Sequence, residues 1–209
     1  MNSMKRKAVF LDRDGVINEI VYHEEMGIID SPFTVEQFRL LPDVCKAINQ
    51  FHKMDFTVII VSNQPGVAKA HFSLENFEKI REKMKTELKK YNTFIDAEYY
   101  CFHHPDATLT KYKKICECRK PKPGMLLTAA KEHNLELSQS WMIGDGITDM
   151  QAGQTARCNT ILVGRTKCDL CRKMEDEGVK PHYIVPNLYK ASLIIKKGEM
   201  TDGDIFRHG

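Results

Sequence analysis

Short apolar runs of strand length recur along the chain: Ala8–Leu11, Phe56–Val61, Ala97–Tyr100, Trp141–Ile143, Thr160–Val163 and Tyr183–Val185. Apolar positions at helical spacing lie between them. Val44, Ala47, Ile48 and Phe51 mark one helix face. Leu74, Phe77, Ile80, Met84, Leu88 and Tyr91 mark a second, with Ser73 as its N-cap, and Met125, Leu126, Ala129 and Ala130 mark a third. Strand and helix alternate, which predicts an α/β fold: a Rossmann-like parallel sheet with helices on both faces. Right-handed crossovers then bring every strand's C-terminal end to one edge, where open α/β sheets bind ligands. Residues 19–41 read as a loop-like insert, and from Gly198 the chain turns polar and glycine-rich. The expected organisation is a single domain over 1–197 and a flexible tail over 198–209, with no helical cap domain, because core elements fill the spacings between the polar strand ends.

Those strand ends carry the chemistry. The first run leads into Asp12-Arg13-Asp14-Gly15 and the second into Ser62-Asn63-Gln64-Pro65-Gly66. Lys120-Pro121-Lys122-Pro123-Gly124 precedes the third helix, and Trp141–Ile143 leads into Gly144-Asp145-Gly146-Ile147-Thr148-Asp149. Taken singly, each is also a polar or rigid turn. Together they place carboxylates, a hydroxyl, amides and an ammonium at one sheet edge. Two carboxylates one residue apart suit a nucleophile with a paired acid/base, and a cation relieves their repulsion. The carboxylates at Asp12 and Asp145 make an oxygen-rich set suited to Mg²⁺.

A second cluster brackets a short loop of little apolar content. Cys101-Phe102-His103-His104 follows the third strand, and Cys116-Glu117-Cys118 comes just before Lys120. Cys101, His103, Cys116 and Cys118 form a Cys₃His set suited to tetrahedral Zn²⁺ with no open position, hence a structural ion. His104 is the alternative to His103. Such an ion would hold Arg119 and Lys120 at the sheet edge that carries Asp12, where Arg119 offers a planar fork to a phosphate or a sugar oxygen. Cys168 and Cys171 form a lone C-x-x-C, read as ordinary thiols, and Cys45 reads as core.

Composition changes this picture little. The 209 residues suffice for one sizeable core, and the net charge of +3 does not argue for a nucleic-acid surface. No segment is long and apolar enough to span a bilayer, and the N-terminus lacks the apolar core of a secretory signal. The expectations are a cytoplasmic monomer with neither nucleic acid nor membrane as a partner.

The order Asp, Ser, Lys, Asp at successive strand ends resembles the haloacid dehalogenase-like phosphatases over about residues 8–163. The resemblance implies Asp12 as nucleophile and Asp14 as general acid and then base. It implies Ser62 and Lys120 as phosphoryl-binding groups, with Asn63 beside them. Mg²⁺ would be held by Asp12, Asp145 and the backbone carbonyl of Asp14, with Asp149 in support. The C-x-H-H-P…C-x-C-R-K-P-x-P-G-M pattern is similar to the D-glycero-D-manno-heptose 1,7-bisphosphate phosphatase group, in which the Arg and Lys after the last Cys contact substrate. Lys69-Ala70 stands where that group usually carries an arginine. The expected activity is hydrolysis of the 7-phosphate of that sugar. Histidinol-phosphate phosphatase or another small-molecule phosphatase is the near alternative and a non-catalytic binding module the remote one.

Overall fold

The computed structural model describes residues 5–164 and 178–200. Eight strands are present among them: β1 (Lys7–Leu11), β2 (Val21–His23), β3 (Ile28–Asp30), β4 (Phe56–Asn63), β5 (Ala97–Cys101), β6 (Trp141–Gly144), β7 (Asn159–Val163) and β8 (Tyr183–Val185). The helices are α1 (Val44–Lys53), α2 (Pro65–Ala68), α3 (Leu74–Lys89), α4 (Gly124–His133), α5 (Ile147–Thr155) and α6 (Leu188–Met200). Six strands form one parallel sheet in the order β5-β4-β1-β6-β7-β8, and β2 and β3 form a separate antiparallel hairpin.

The central strand β1 is apolar on both sides because both its faces are covered. Val9 and Leu11 turn to one layer with Val58 and Ile60, packed against Ala47, Ile48 and Phe51 of α1, Ile80 and Met84 of α3, and Ala191 and Ile195 of α6. Ala8 and Phe10 turn to the other, with Ile59, Val61, Met125, Leu126 and Ala129. This alternation is the period of two expected of a strand. Register then aligns the chemistry: Leu11 lies across from Ile60 and from Ile143. Asp12, Ser62 and Asp145 therefore leave the sheet at nearly the same level.

Several expectations are corrected. The insert at 19–41 is not plain loop, since it contains the β2–β3 hairpin and a 3₁₀ turn at Val35–Gln37. Its inner side is anchored by Phe33, which stacks on His23 and packs with Val67, Phe72 and Phe77. The short β-runs carry too few apolar residues to announce themselves, and the contact that orders them is distant in sequence. Leu74 and Tyr91 are exposed rather than on the buried face of α3, and Tyr91 lies beyond the helix end. Ser73 does cap α3, its side chain accepting from the Asn76 N–H at 3.0 Å. Helix α6 continues through Gly198 to Met200, three residues into the expected tail, with 201–209 outside the described residues. Cys45 is partly buried against the core. Cys168 and Cys171 lie outside the described residues.

Candidate active site

Asp12 is the first residue past β1, and its Oδ1 accepts the N–H of Arg13 at 2.8 Å. Lys120 reaches it from the loop before α4, with Nζ 3.0 Å from Asp12 Oδ1 and 2.5 Å from Asp149 Oδ1. The same ammonium donates to the Val61 carbonyl at 2.8 Å. Burial alone would make this lysine less basic. The charges of Asp12 and Asp149 outweigh burial, so its pKa lies above the ordinary value and it stays charged. Asp149 sits in the first turn of α5, where its Oδ2 accepts the Gly146 N–H at 3.0 Å.

Asp145 completes the cluster. One carboxylate oxygen from each of Asp12, Asp145 and Asp149 lies within 4.8 Å of the others. Burial, then the charges of Asp12 and Asp149, push the Asp145 carboxyl up to about 8. Burial also lifts Asp149 to about 6, against the pull of Lys120. Three carboxylates thus face one ammonium, and a divalent cation would balance the remainder. The donors are hard oxygens, which fits Mg²⁺. Gly15 permits this approach: it has φ +79°, and a Cβ there would lie 2.1 Å from Asp145 Oδ2. The Asp14–Gly15 peptide is thereby brought against Asp145.

The Asp14 carboxylate is not one of these three. It receives Nε and Nη2 of Arg13 at 3.0–3.2 Å, Asn18 Nδ2 at 2.9 Å and Gln64 Nε2 at 2.7 Å. Arg13 is fully buried, yet its pKa lies above the ordinary value: the charge of Asp14 outweighs the burial that would lower it. Ser62, at the end of β4, is buried with its Oγ 3.1 Å from Gln64 Nε2. Asn63, expected at the substrate, has both amide ends on the Lys120 backbone: Nδ2 donates to Lys120 O and Oδ1 accepts from Lys120 N, each at 3.0 Å. It therefore fastens the lysine's loop to β4. Arg13, Asn18 and Gln64 were given no role in the sequence reading. The available signal was a charged side chain between two aspartates beside a buried strand, a position that demands a partner.

The second cluster also assembles. Cys101 ends β5, paired with Asn63 in β4, and Gln64 N donates to its carbonyl at 2.8 Å. Cys118 Sγ lies 3.2 Å from both the Cys101 and Cys116 sulfurs and 3.3 Å from His103 Nδ1, and Cys101 Sγ lies 3.6 Å from Cys116 Sγ and 3.7 Å from His103 Nδ1. Three thiols and an imidazole are the donor types of a closed tetrahedral Zn²⁺ site, although the sulfurs lie closer together than the roughly 3.8 Å edge that zinc–sulfur bonds of about 2.3 Å imply. His104 is not in the group. Arg119 Nη1 donates to the His103 carbonyl at 3.3 Å, which ties the arginine to this loop. Gly124 holds α4 against it, because a Cβ there would lie 2.2 Å from the Glu117 carbonyl oxygen.

A parallel sheet whose central strand ends in a paired-aspartate turn, with a lysine and further aspartates at the same edge, is the architecture of an aspartate-based phosphatase. Comparison with known proteins agrees. The family described as "HAD-hyrolase-like" matches residues 117–191. The D-glycero-beta-D-manno-heptose-1,7-bisphosphate 7-phosphatase of Photorhabdus laumondii is 42% identical over 159 residues, covering 76% of this chain and 80% of that protein. The protein of the same name from Pasteurella multocida is 36% identical over 192 residues, covering 91% of this chain and 97% of its own length. Among solved structures, the D,D-heptose 1,7-bisphosphate phosphatase of B. bronchiseptica, complexed with magnesium and phosphate, superposes with a TM-score of 0.73. It is 28% identical, over 92% of this chain and 99% of that one. The chain belongs to the haloacid dehalogenase-like phosphatase family. It is a phosphatase, and among the described residues the site has no cap domain over it, only the β2–β3 hairpin and the cysteine loop beside it. No helix among the described residues is long and apolar enough to cross a membrane.

Proposed function

We propose that this chain removes the 7-phosphate of D-glycero-β-D-manno-heptose 1,7-bisphosphate through an aspartyl-phosphate on Asp12. Asp12 Oδ attacks phosphorus. The bond from phosphorus to the sugar oxygen breaks, and that oxygen takes a proton from Asp14. Water then attacks the same phosphorus, Asp14 takes its proton, the bond to Asp12 breaks and inorganic phosphate leaves. Ser62 and Lys120 stabilise the transferring group, and Lys120 also neutralises the nucleophile before attack. Asp12, Asp145 and the Asp14 carbonyl, with Asp149 in support, would hold Mg²⁺, which would supply charge compensation between the two anions. Cys101, His103, Cys116 and Cys118 would hold Zn²⁺ as a structural ion and so fasten the loop that carries Arg119 and Lys120, and Arg119 grips a substrate oxygen or the distant phosphate.

The observation that carries this reading is the contact of buried Lys120 with Asp12 at the mouth of β1, in a chain whose relatives bear that enzyme's name. Histidinol phosphate is the competing substrate. Side-by-side steady-state assays of both anomers of the bisphosphate and of histidinol phosphate test the choice. The expected result is a higher kcat/KM for the β-bisphosphate. Arg119→Ala should narrow the gap, losing about 1.5–3 kcal/mol, the worth of a charged hydrogen bond. Equal or better turnover of histidinol phosphate would overturn the sugar assignment and leave the phosphatase chemistry standing.

A further inference from the structure

Gln64 is buried, and its amide joins three groups. Its Oε1 accepts from Arg13 Nη2 at 2.8 Å, and its Nε2 faces Asp14 Oδ2 at 2.7 Å and Ser62 Oγ at 3.1 Å. An arginine can only donate, so the amide oxygen must face Arg13. The nitrogen is then left for Asp14 and Ser62. Ser62 in turn accepts from Gln64, so its single hydroxyl proton remains available to another acceptor. Arg13 itself is unusual: a fully buried guanidinium, over the Phe77 ring at 5.4 Å, with Asp14 as its ion-pair partner. Burying such a group is costly, and an apolar side chain of the same volume would serve packing as well.

We propose that Arg13 and Gln64 are positioning residues for the proton-transfer and phosphoryl-binding groups. Arg13 fixes the orientation of the Gln64 amide. The Gln64 N–H groups then hold the Asp14 carboxyl beside the leaving oxygen and turn the Ser62 hydroxyl toward the phosphoryl group. The inference rests on the assignment of Asp14 as general acid given above.

The two roles separate by leaving group. Alkyl phosphates need protonation of the departing oxygen, whereas a nitrophenyl phosphate has a stable leaving anion and needs little. The experiment measures kcat/KM for a sugar phosphate and for 4-nitrophenyl phosphate in the wild type, Asp14→Asn, Gln64→Met and Gln64→Glu. Methionine keeps the length of Gln64 and removes its donors; glutamate keeps the bond to Arg13. Gln64→Met should depress the sugar-phosphate rate about tenfold more than the aryl rate, part of the 10²–10⁴ typical of general acid–base catalysis. In the Asp14→Asn background the same change should no longer alter the ratio. Equal losses on both substrates in folded Gln64→Met, checked by thermal unfolding, overturn the proposal. If the methionine variant does not fold, Gln64→Glu decides by the same ratio. If Asp14→Asn leaves the ratio at its wild-type value, the acid assignment itself fails. If Asp14→Asn collapses the ratio and the Gln64 variants do not, the acid stands and only the positioning role falls.

Discussion

Asp145→Asn isolates the charge problem at the centre of the site. In the folded chain the Asp145 carboxyl titrates at about 8, against 3.8 for an ordinary aspartate, because it is buried beside Asp12 and Asp149. A pKa raised by folding makes a contribution that is complete below the unfolded value and is lost as pH rises to the folded one. At about 1.36 kcal/mol per unit, holding this group at pH 8 without a divalent cation costs on the order of 5 kcal/mol, and at pH 5 only about 1–2. Asparagine keeps the shape and carries no charge. The variant should therefore unfold at nearly the wild-type temperature at pH 5. At pH 8 it should unfold on the order of ten degrees higher, at the few degrees per kcal/mol usual for a domain of this size. Trp141, the single tryptophan, packs against Tyr183 and reports unfolding by fluorescence. Added Mg²⁺ should raise the wild-type midpoint by an amount that grows with pH, with little effect on the variant. Parallel curves for the two proteins between pH 5 and 8, or an equal response to Mg²⁺, would refute the argument that uncompensated carboxylate charge dominates this cluster.

Other outcomes follow from the same geometry. Asp12→Asn should remain folded yet lose nearly all turnover, and mass spectrometry of quenched wild-type reactions should show a phosphate adduct on the peptide containing Asp12; wild-type rates in the variant would exclude it as nucleophile. Elemental analysis should find about one zinc per chain, as one closed tetrahedral site requires. Cys116→Ser should lose that zinc and raise KM through the freed Arg119; unchanged zinc content would mean that other residues hold the ion.

Much of the fold was legible because its strands are buried on both faces. Phe56–Val61 and Thr160–Val163 are continuous apolar runs, and a doubly covered strand has no other way to be written. The hairpin at Val21–Asp30 escaped notice for the opposite reason: Tyr22 and Ile29 face outward, and the segment is fastened by Phe33, packed under α3, and by partly buried Ile28. The cysteine loop was legible because four ligand-type side chains around a short polar segment suggest little else. The tie from Asn63 to the Lys120 backbone was not legible, because a polar residue at a strand end looks alike whether it faces a ligand or the backbone of a distant loop.

By itself the sequence determined the alternation of strands and helices, and hence which ends share an edge. Chain connectivity and the right-handed crossover leave almost no freedom there. It also determined the residue types available for nucleophile, acid and metal ligands. Only the tertiary structure decided how those residues are partnered. Lys120 lies 108 positions from Asp12 in the chain and 3.0 Å from it in space. Arg13 and Gln64 take their meaning from the buried contact between them. Local pattern is set by the chain's own periodicity, but the protonation and orientation of a polar group are set by whichever distant groups the fold brings within a few ångströms.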